Sequence, residues 1–243
     1  MSGALPILYR DDWLVAVSKP AGLLVHRSEL DAEHSEFLLQ SLRDQLGQHL
    51  YPVHRLDKPT SGALLFALDS DTARLLSEQF SGDSIDKRYL AIVRGWTDES
   101  GIIDYPLVPL RDHPREKGRD LPPKPAQPAR SDYRRLASAE LPQAVGRYPT
   151  ARYSLLEVRL HSGRRRQIRR HLKHIFHPVV GDSSHGDGAH NRFFREHLDC
   201  PRLLLHARSL ELAHPHSGDR LRIDAPLCGA MARVCEQLGW GSP

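Results

Sequence analysis

His54-Arg55-Leu56-Asp57-Lys58-Pro59-Thr60-Ser61-Gly62 runs directly into the apolar stretch Ala63-Leu64-Leu65-Phe66-Ala67-Leu68, and this junction constrains the chain more than any other feature. Pro59 fixes its own φ and biases Lys58 away from helix, while Gly62 is free to take a positive φ. The segment is therefore expected to form a tight, rigid corner that feeds a buried strand. Asp57 is set in that corner with Arg55 and Lys58 beside it, cations close enough to keep it ionised. An acid so placed is either a salt-bridge partner or a nucleophile. Taken alone, these nine residues favour the structural reading, because most Asp residues beside Arg and turns are solvated or capping.

The 243 residues are enough for a substantial core in one large α+β domain or two small ones, and 40% hydrophobic with 26% charged residues is a globular composition. A formal net charge of +4 says little in itself. Its distribution says more, because Arg164, Arg165, Arg166, Arg169 and Arg170 fall within seven residues, a density that suggests an anionic partner. Cys200, Cys228 and Cys235 are odd in number and form no CxxC pair, which points to free thiols in a reducing cytoplasm. No apolar leader follows Met1 and no apolar run approaches membrane-spanning length, so a cytoplasmic protein without a membrane segment is expected.

Periodicity places the elements. Ile7-Leu8-Tyr9 and Trp13 to Val17 read as strands around an Arg10-Asp11-Asp12 turn, and Lys19-Pro20-Ala21-Gly22 makes a second corner. Ser35 can cap a helix to about Leu46, with Leu38, Leu42 and Leu46 at four-residue spacing, and Asp69 can cap another to about Phe80. Lys87 to Gly95 reads as a strand with Tyr89, Ala91 and Val93 on one face. Residues 110–129, charged and proline-rich, read as a long mobile loop inside a single domain spanning 1–243. Arg152 to Leu160 resumes as a strand, Arg165 to about Ile175 as a basic helix, Leu203 to His206 opens a further strand, and Cys228 to Leu238 reads as a terminal helix. Many strands and few helices argue for an α+β fold on a largely antiparallel sheet.

Several chemistries lack their residues. Neither a P-loop nor a dinucleotide fingerprint has its glycines between a strand and a helix, and a serine nucleophile lacks its GxSxG elbow. Glycosidase chemistry normally uses two acids, and no evident second one stands near Asp57. His171, His174 and His177 are three apart, but His177 precedes Pro178, where helix is disfavoured, so they make no clean ligand face. No metal is expected, and the histidines read as surface and RNA-facing. A metal-dependent hydrolase built on them is the more distant alternative.

What remains resembles one family. His54-Arg55-Leu56-Asp57 with Thr60-Ser61-Gly62 is similar to the HRLDxxTSG motif of the RluA-type pseudouridine synthases. Lys19-Pro20-Ala21-Gly22 with Val25-His26 is similar to their KPxGxxVH opening, and Lys87-Arg88-Tyr89-Leu90-Ala91 to their K-x-Y-x-A strand. Ser162-Gly163-Arg164-Arg165-Arg166-Gln167-Ile168-Arg169-Arg170-His171-Leu172 resembles their TGRxHQLRxHL segment. His177-Pro178-Val179-Val180-Gly181-Asp182 and Arg202 to Ala207 follow in the expected order, so the likeness covers nearly the whole chain. Two departures stand out: Arg166 where the family usually has His, and Ser162 for Thr. Arginine keeps a donor but loses the acceptor, so Arg166 is left out of the catalytic set.

The resemblance implies the pseudouridine synthase fold, a central mixed, mainly antiparallel bent sheet flanked by helices and loops. It implies an RNA-modifying isomerase that breaks the N1–C1′ bond of a uridine, turns the uracil and joins C5 to C1′ without a cofactor. Asp57, ionised, would be the nucleophile or electrostatic partner at the sugar–base junction, Tyr89 would pack beside the flipped uracil and take part in removing the C5 proton, and Arg169 would hold Asp57 charged and oriented through a bidentate pair. Arg55 would fill the space the base leaves, and Arg164, Arg165 and Arg170 would contact phosphates. A single catalytic domain without an N-terminal S4 module is expected. The runs at 47–49, 147–153 and 181–187 look like those of a tRNA-modifying member, which implies tRNA as partner and uridine 65 as target; a monomer is expected, although no sequence signal bears on oligomeric state. A ribosomal RNA or another tRNA uridine is the alternative substrate, and a non-catalytic RNA-binding folding factor the alternative of a different class.

Overall fold

Two strands with no alternation of polarity lie at the heart of the sheet. β2 (Leu14–Lys19) and β4 (Ser61–Ala67) are buried almost throughout, as expected of strands covered on both faces. The computed structural model describes residues 4–26, 37–82, 84–111, 122 and 124–241. The remaining strands are β1 (Ile7–Arg10), β3 (Tyr51–Pro52), β5 (Asp86–Arg94), β6 (Ser100–Asp104), β7 (Arg130–Leu141), β8 (Ala151–Leu160), β9 (Leu205–Ala213) and β10 (Arg220–Asp224). They form one ten-stranded sheet in the order β1-β2-β4-β9-β5-β8-β7-β6, with β3 beside β4 and β10 beside β9. Every pairing is antiparallel except β4 with β9, which meet in parallel only through Ser61–His206 and Gly62–Ala207. That short junction joins the two halves of the sheet, and it falls four residues after Asp57. Gly62 sits there at φ 113°, and a Cβ on it would run into the backbone of Ala207.

The helices α1 (Leu38–Leu46), α2 (Ser70–Ser81), α3 (Gln167–His174), α4 (Gly188–His197) and α5 (Gly229–Gln237) complete the α+β architecture. On one face, Tyr89, Ala91 and Val93 of β5 meet Leu38 and Leu42 of α1 and Ile168 and Leu172 of α3. Leu90 and Ile92 point the other way, toward Phe193 and Phe194 of α4 and Met231 and Val234 of α5. A third cluster buries Leu76 of α2 against Leu14, Ala16 and Leu65. Among the described residues, no helix is long and apolar enough to cross a membrane.

Boundaries differ from the sequence reading in identifiable ways. Asp69 caps α2 as expected, accepting from the Thr72 amide at 2.8 Å. The expected cap Ser35 lies outside the described residues, and the N-cap of α1 is Phe37, with no side-chain cap. Of the 110–129 loop, residues 112–121 and 123 lie outside the described set, and the described base is closed by paired amides of Leu107 and Gln127 at 2.9 and 3.0 Å. The longest strand, β7, follows that loop and escaped the sequence reading, because seven of its twelve residues are Arg, Ser or Ala in a partly exposed pattern.

Candidate active site

The Asp57 corner is a four-residue turn, closed by the Thr60 amide donating to the Asp57 carbonyl at 3.0 Å. Leu56, buried just before Asp57, and the buried Thr60 and Ser61 just after it fix the turn at both ends. The Lys19–Gly22 corner docks beneath it. The Gly22 amide and Lys19 Nζ both donate to the Lys58 carbonyl at 2.9 Å, and Nζ also donates to the carbonyls of Thr60 at 2.7 Å and Pro20 at 2.9 Å. Lys19 is only 1% exposed. Burial pulls its pKa down to about 7, with Arg202 acting the same way and Asp57 opposing them. Three carbonyl acceptors nonetheless match the three protons of an ammonium. Two lysine–proline corners, far apart in sequence, thus share one anchoring network.

The strand behind the corner is held by two histidines. His54 Nε2 accepts from the Leu65 amide at 2.9 Å while its ring stacks on Phe80, with centroids 4.4 Å apart. His206 Nε2 donates to the Ala225 carbonyl at 3.0 Å, so its Nδ1 accepts from the Ser61 hydroxyl at 2.9 Å; Arg202 in turn donates to Ser61 Oγ at 2.8 Å. Burial, above all, lowers His54 to about 3 and His206 to about 4, which keeps both neutral.

Opposite Asp57 stands α3. Its N-cap, Arg166, takes the left-handed conformation at φ 55°, rare for a residue with a Cβ. Gln167 pins this turn to β7, donating to the Arg130 carbonyl at 2.9 Å and to Ser131 Oγ at 3.1 Å and accepting from the Arg164 amide at 3.0 Å. Two residues on, Arg169 points inward with 4% exposure. Its Nη1 reaches Asp57 Oδ2 at 3.1 Å. Its Nε and Nη2 go to the two oxygens of Asp182, each at 2.6 Å. The expected bidentate partner of Arg169 is therefore not Asp57 but Asp182, and Asp57 receives a single hydrogen bond. Burial would raise the Asp182 carboxyl, but the Arg169 hydrogen bonds and charge, with the amides of His185 and Ser184, hold it below the usual carboxylate range. Burial would likewise lower Arg169, and Asp182 followed by Asp57 carries it above its ordinary value.

Tyr89 enters from β5, buried to 9% exposure. Burial first, and the charge of Asp57 second, raise its hydroxyl above the ordinary tyrosine value. Tyr89, Asp57, Arg55, Arg164, Arg166 and Arg169 line one cavity of about 100 Å³, far below the roughly 300–1,000 Å³ of sites for drug-sized ligands. Its scale suits one flat ring between a carboxylate and a phenol. Arg165 is exposed on the turn before α3 and Arg170 is half-buried on α3; neither lines the cavity.

The three spaced histidines each have a separate task. His171 is fully buried, with Nδ1 3.0 Å from Ser131 Oγ and Nε2 donating to the Tyr105 carbonyl at 3.0 Å, so it is a core residue and does not face RNA. His174 stacks on Tyr105 with ring centroids 3.7 Å apart, and His177 Nδ1 donates to the Arg94 carbonyl at 2.9 Å. Asp182 and Lys19 are the polar groups the sequence reading quoted without giving them a part. Their sequence signal was present, an acid after Gly181 and a lysine before a Pro-Ala-Gly corner, but nothing in the chain says that Asp182 shares Arg169 with Asp57 or that Lys19 holds the carbonyls of the Asp57 corner. At Gly181, a Cβ would collide with the Arg202 backbone, which fixes where Asp182 can sit.

A family model described as RNA pseudouridylate synthase matches residues 13–174. The chain is 50% identical over 236 residues to the tRNA pseudouridine synthase C of Haemophilus ducreyi, covering 97% of this chain and 96% of that protein. It is 51% identical to the protein of that name from Pectobacterium carotovorum subsp. carotovorum, where the same 97% of this chain spans 62% of the relative's length. Among solved structures it is similar to human RNA pseudouridylate synthase domain containing 4, with a TM-score of 0.73 at 25% identity over 96% of this chain and 93% of that one. With 97% of its length matched to such relatives and its site built on the motifs that the resemblance singled out, the chain belongs to the RluA-type RNA pseudouridylate synthase family.

Proposed function

We propose that this chain isomerises uridine to pseudouridine in tRNA, at uridine 65, with Asp57, Tyr89 and Arg169 as the catalytic set. The observation that carries the reading is the convergence of Asp57 and Tyr89 on one ring-sized cavity, with Arg169 3.1 Å from the carboxylate. The name carried by relatives of about half identity supports tRNA as the substrate. Asp57 acts at C1′ as the N1–C1′ bond breaks, by attack or by assisting glycal formation; the uracil turns in the cavity, C5 joins C1′, and the proton lost from C5 is balanced by one gained at N1. The Tyr89 ring supports the turned base. Extruding a stacked base costs a few kcal/mol, and Arg55, exposed at the cavity mouth, is positioned to stack in the vacated place. Arg164 lies at the same mouth, and Arg165 and Arg170 flank it on the turn and helix, where phosphates would approach. A monomer completes the reading, and tRNA as substrate is in keeping with work in the cytoplasm.

The test is direct. Asp57→Asn abolishes pseudouridine formation while leaving tRNA binding largely intact, and appreciable turnover by that variant would sink the mechanism. Mapping pseudouridine in RNA from cells lacking the gene reads the target: loss at tRNA position 65 is expected, and loss from ribosomal RNA alone would replace the substrate assignment.

A further inference from the structure

The run Arg147 to Arg152 takes no part in the catalytic cavity. It lines a second cleft, of about 680 Å³, with Arg94 and Gly95 at the end of β5 and Asp187 and His190 around the start of α4. Arg147 and Tyr148 stand at the tip of the β7–β8 connection, where Gly146 at φ 71° and a Val145–Tyr148 bridge fold the chain tightly and buried Val145 anchors it. Tyr148 is 57% exposed, and the Arg147 guanidinium lies 4.9 Å from its ring centroid. Beside the cleft, exposed Trp96 carries the Arg152 guanidinium 4.3 Å over its ring. Exposed aromatic rings interleaved with guanidinium groups form a surface on which a base can stack while phosphates meet the cations.

The local acids leave that surface positive. Asp187 pairs with Arg94 at 2.5 Å and Glu140 with Arg152 at 3.1 Å, while Arg147 has no carboxylate partner among the described residues. Pairs exposed to solvent contribute little, so a phosphate competes with them readily. The cleft is also tied to the catalytic helix. Arg94 Nη2 donates at 3.3 Å to the carbonyl of Phe176, which follows α3, and Phe176 itself is 80% exposed at φ 65°. Along β5, Tyr89 of the catalytic cavity and Arg94 of the cleft stand five residues apart, about 17 Å of strand. A polynucleotide with one nucleotide in the catalytic cavity is therefore long enough to reach both places.

We propose that the cleft framed by Arg147, Tyr148 and Arg152 binds a second segment of the substrate RNA, with phosphates at the arginines and an unpaired base on the Tyr148 ring. It thereby recognises tRNA away from the target uridine, an inference that rests on the tRNA reading above. Arg147→Ala and Tyr148→Ala, both exposed positions, are compared with wild type and with Arg74→Ala on the remote α2 as a control for general charge loss. Two substrates are used: full-length tRNA and a minihelix holding only the target stem and loop. Each cleft variant raises KM for tRNA about tenfold with kcat unchanged, and leaves KM for the minihelix at the wild-type value. Arg147→Ala also lowers the salt dependence of tRNA binding by about one unit of log–log slope, whereas Arg74→Ala does not. Unchanged tRNA binding in both variants, or an equal loss on tRNA and minihelix, overturns the cleft. Wild-type protein that modifies no tRNA, while both variants still weaken tRNA binding, overturns the functional reading and leaves the cleft standing.

Discussion

Arg169 holds Asp182 with two nitrogens, at 2.6 Å each, and gives Asp57 only the third, at 3.1 Å. Asp182 has no side-chain exposure, so the arginine is anchored to a buried carboxylate and presents its remaining edge to Asp57. On the proposed function, Asp182 is thus a positioning residue. Asp182→Asn removes the closer of the two carboxylates beside buried Arg169 and leaves it only the single Asp57 contact, a loss on the order of 3–5 kcal/mol for a broken buried pair. In protein that remains folded, a displaced guanidinium lowers kcat by about a hundredfold. The check is kcat alongside urea unfolding: a variant that loses stability but keeps wild-type kcat would make Asp182 merely structural. Arg169→Lys, which supplies no planar fork, is expected to fail in the same way.

The sequence made the Asp57 corner legible because its signals are local. Pro59 and Gly62 announce a turn, and Gly62 indeed takes φ 113°. Tyr89, Ala91 and Val93 do share one face, as period-two alternation requires. The sharing of Arg169 was not legible, since a single chain read in order cannot say which of two carboxylates receives the bidentate grip. Nor was the role of Lys19, whose three acceptors are backbone carbonyls and carry no residue identity. The strand β7 was missed for a different reason: its Arg, Ser and Ala side chains carry little apolar periodicity, and its pairing with β8 supplies the structure instead.

Lys19 gives a pH signature with a definite sign. Its folded pKa of about 7 lies below the unfolded value of 10.5. Between those values the unfolded chain holds a proton the folded chain has released, so Lys19 makes the unfolding free energy rise with pH across that window. Lys19→Met removes both the titration and the three carbonyl hydrogen bonds. Its stability deficit against wild type is expected to widen from pH 7 to pH 10 in urea unfolding at constant salt. A deficit that stays level or narrows over that range would mean that the Pro20, Lys58 and Thr60 carbonyls outweigh burial and keep the ammonium charged.

His54 and His206 act in the opposite pH range. Both are held neutral, at about 3 and about 4, against an ordinary 6.5. Below 6.5 the unfolded chain takes up protons that the folded chain refuses, so stability falls as pH drops from 6.5 toward 4. Protonating His54 would also cost the Leu65 amide its acceptor. His54→Gln, which retains an acceptor oxygen, is expected to flatten the fall over that range at a cost of about 1 kcal/mol near pH 7. Acid unfolding curves with the same slope as wild type would remove His54 from this account.

Tyr89 separates a chemical role from a packing role. Its hydroxyl is raised above the ordinary tyrosine value by burial and then by Asp57, so it stays a neutral phenol through the working pH range. It can pass or orient a proton, but not as a standing phenolate, and its ring can support the turned uracil. Tyr89→Phe keeps the ring and removes only the hydroxyl. If the hydroxyl takes part in removing the C5 proton, single-turnover rates fall by about 10²–10⁴-fold with tRNA affinity unchanged. The wild-type rate should show no alkaline limb from this group below pH 10, since its ionisation lies above that. A Phe variant at the wild-type rate would leave Tyr89 as a wall of the cavity, and Asp57 with Arg169 would then have to carry the proton balance with groups of the RNA itself.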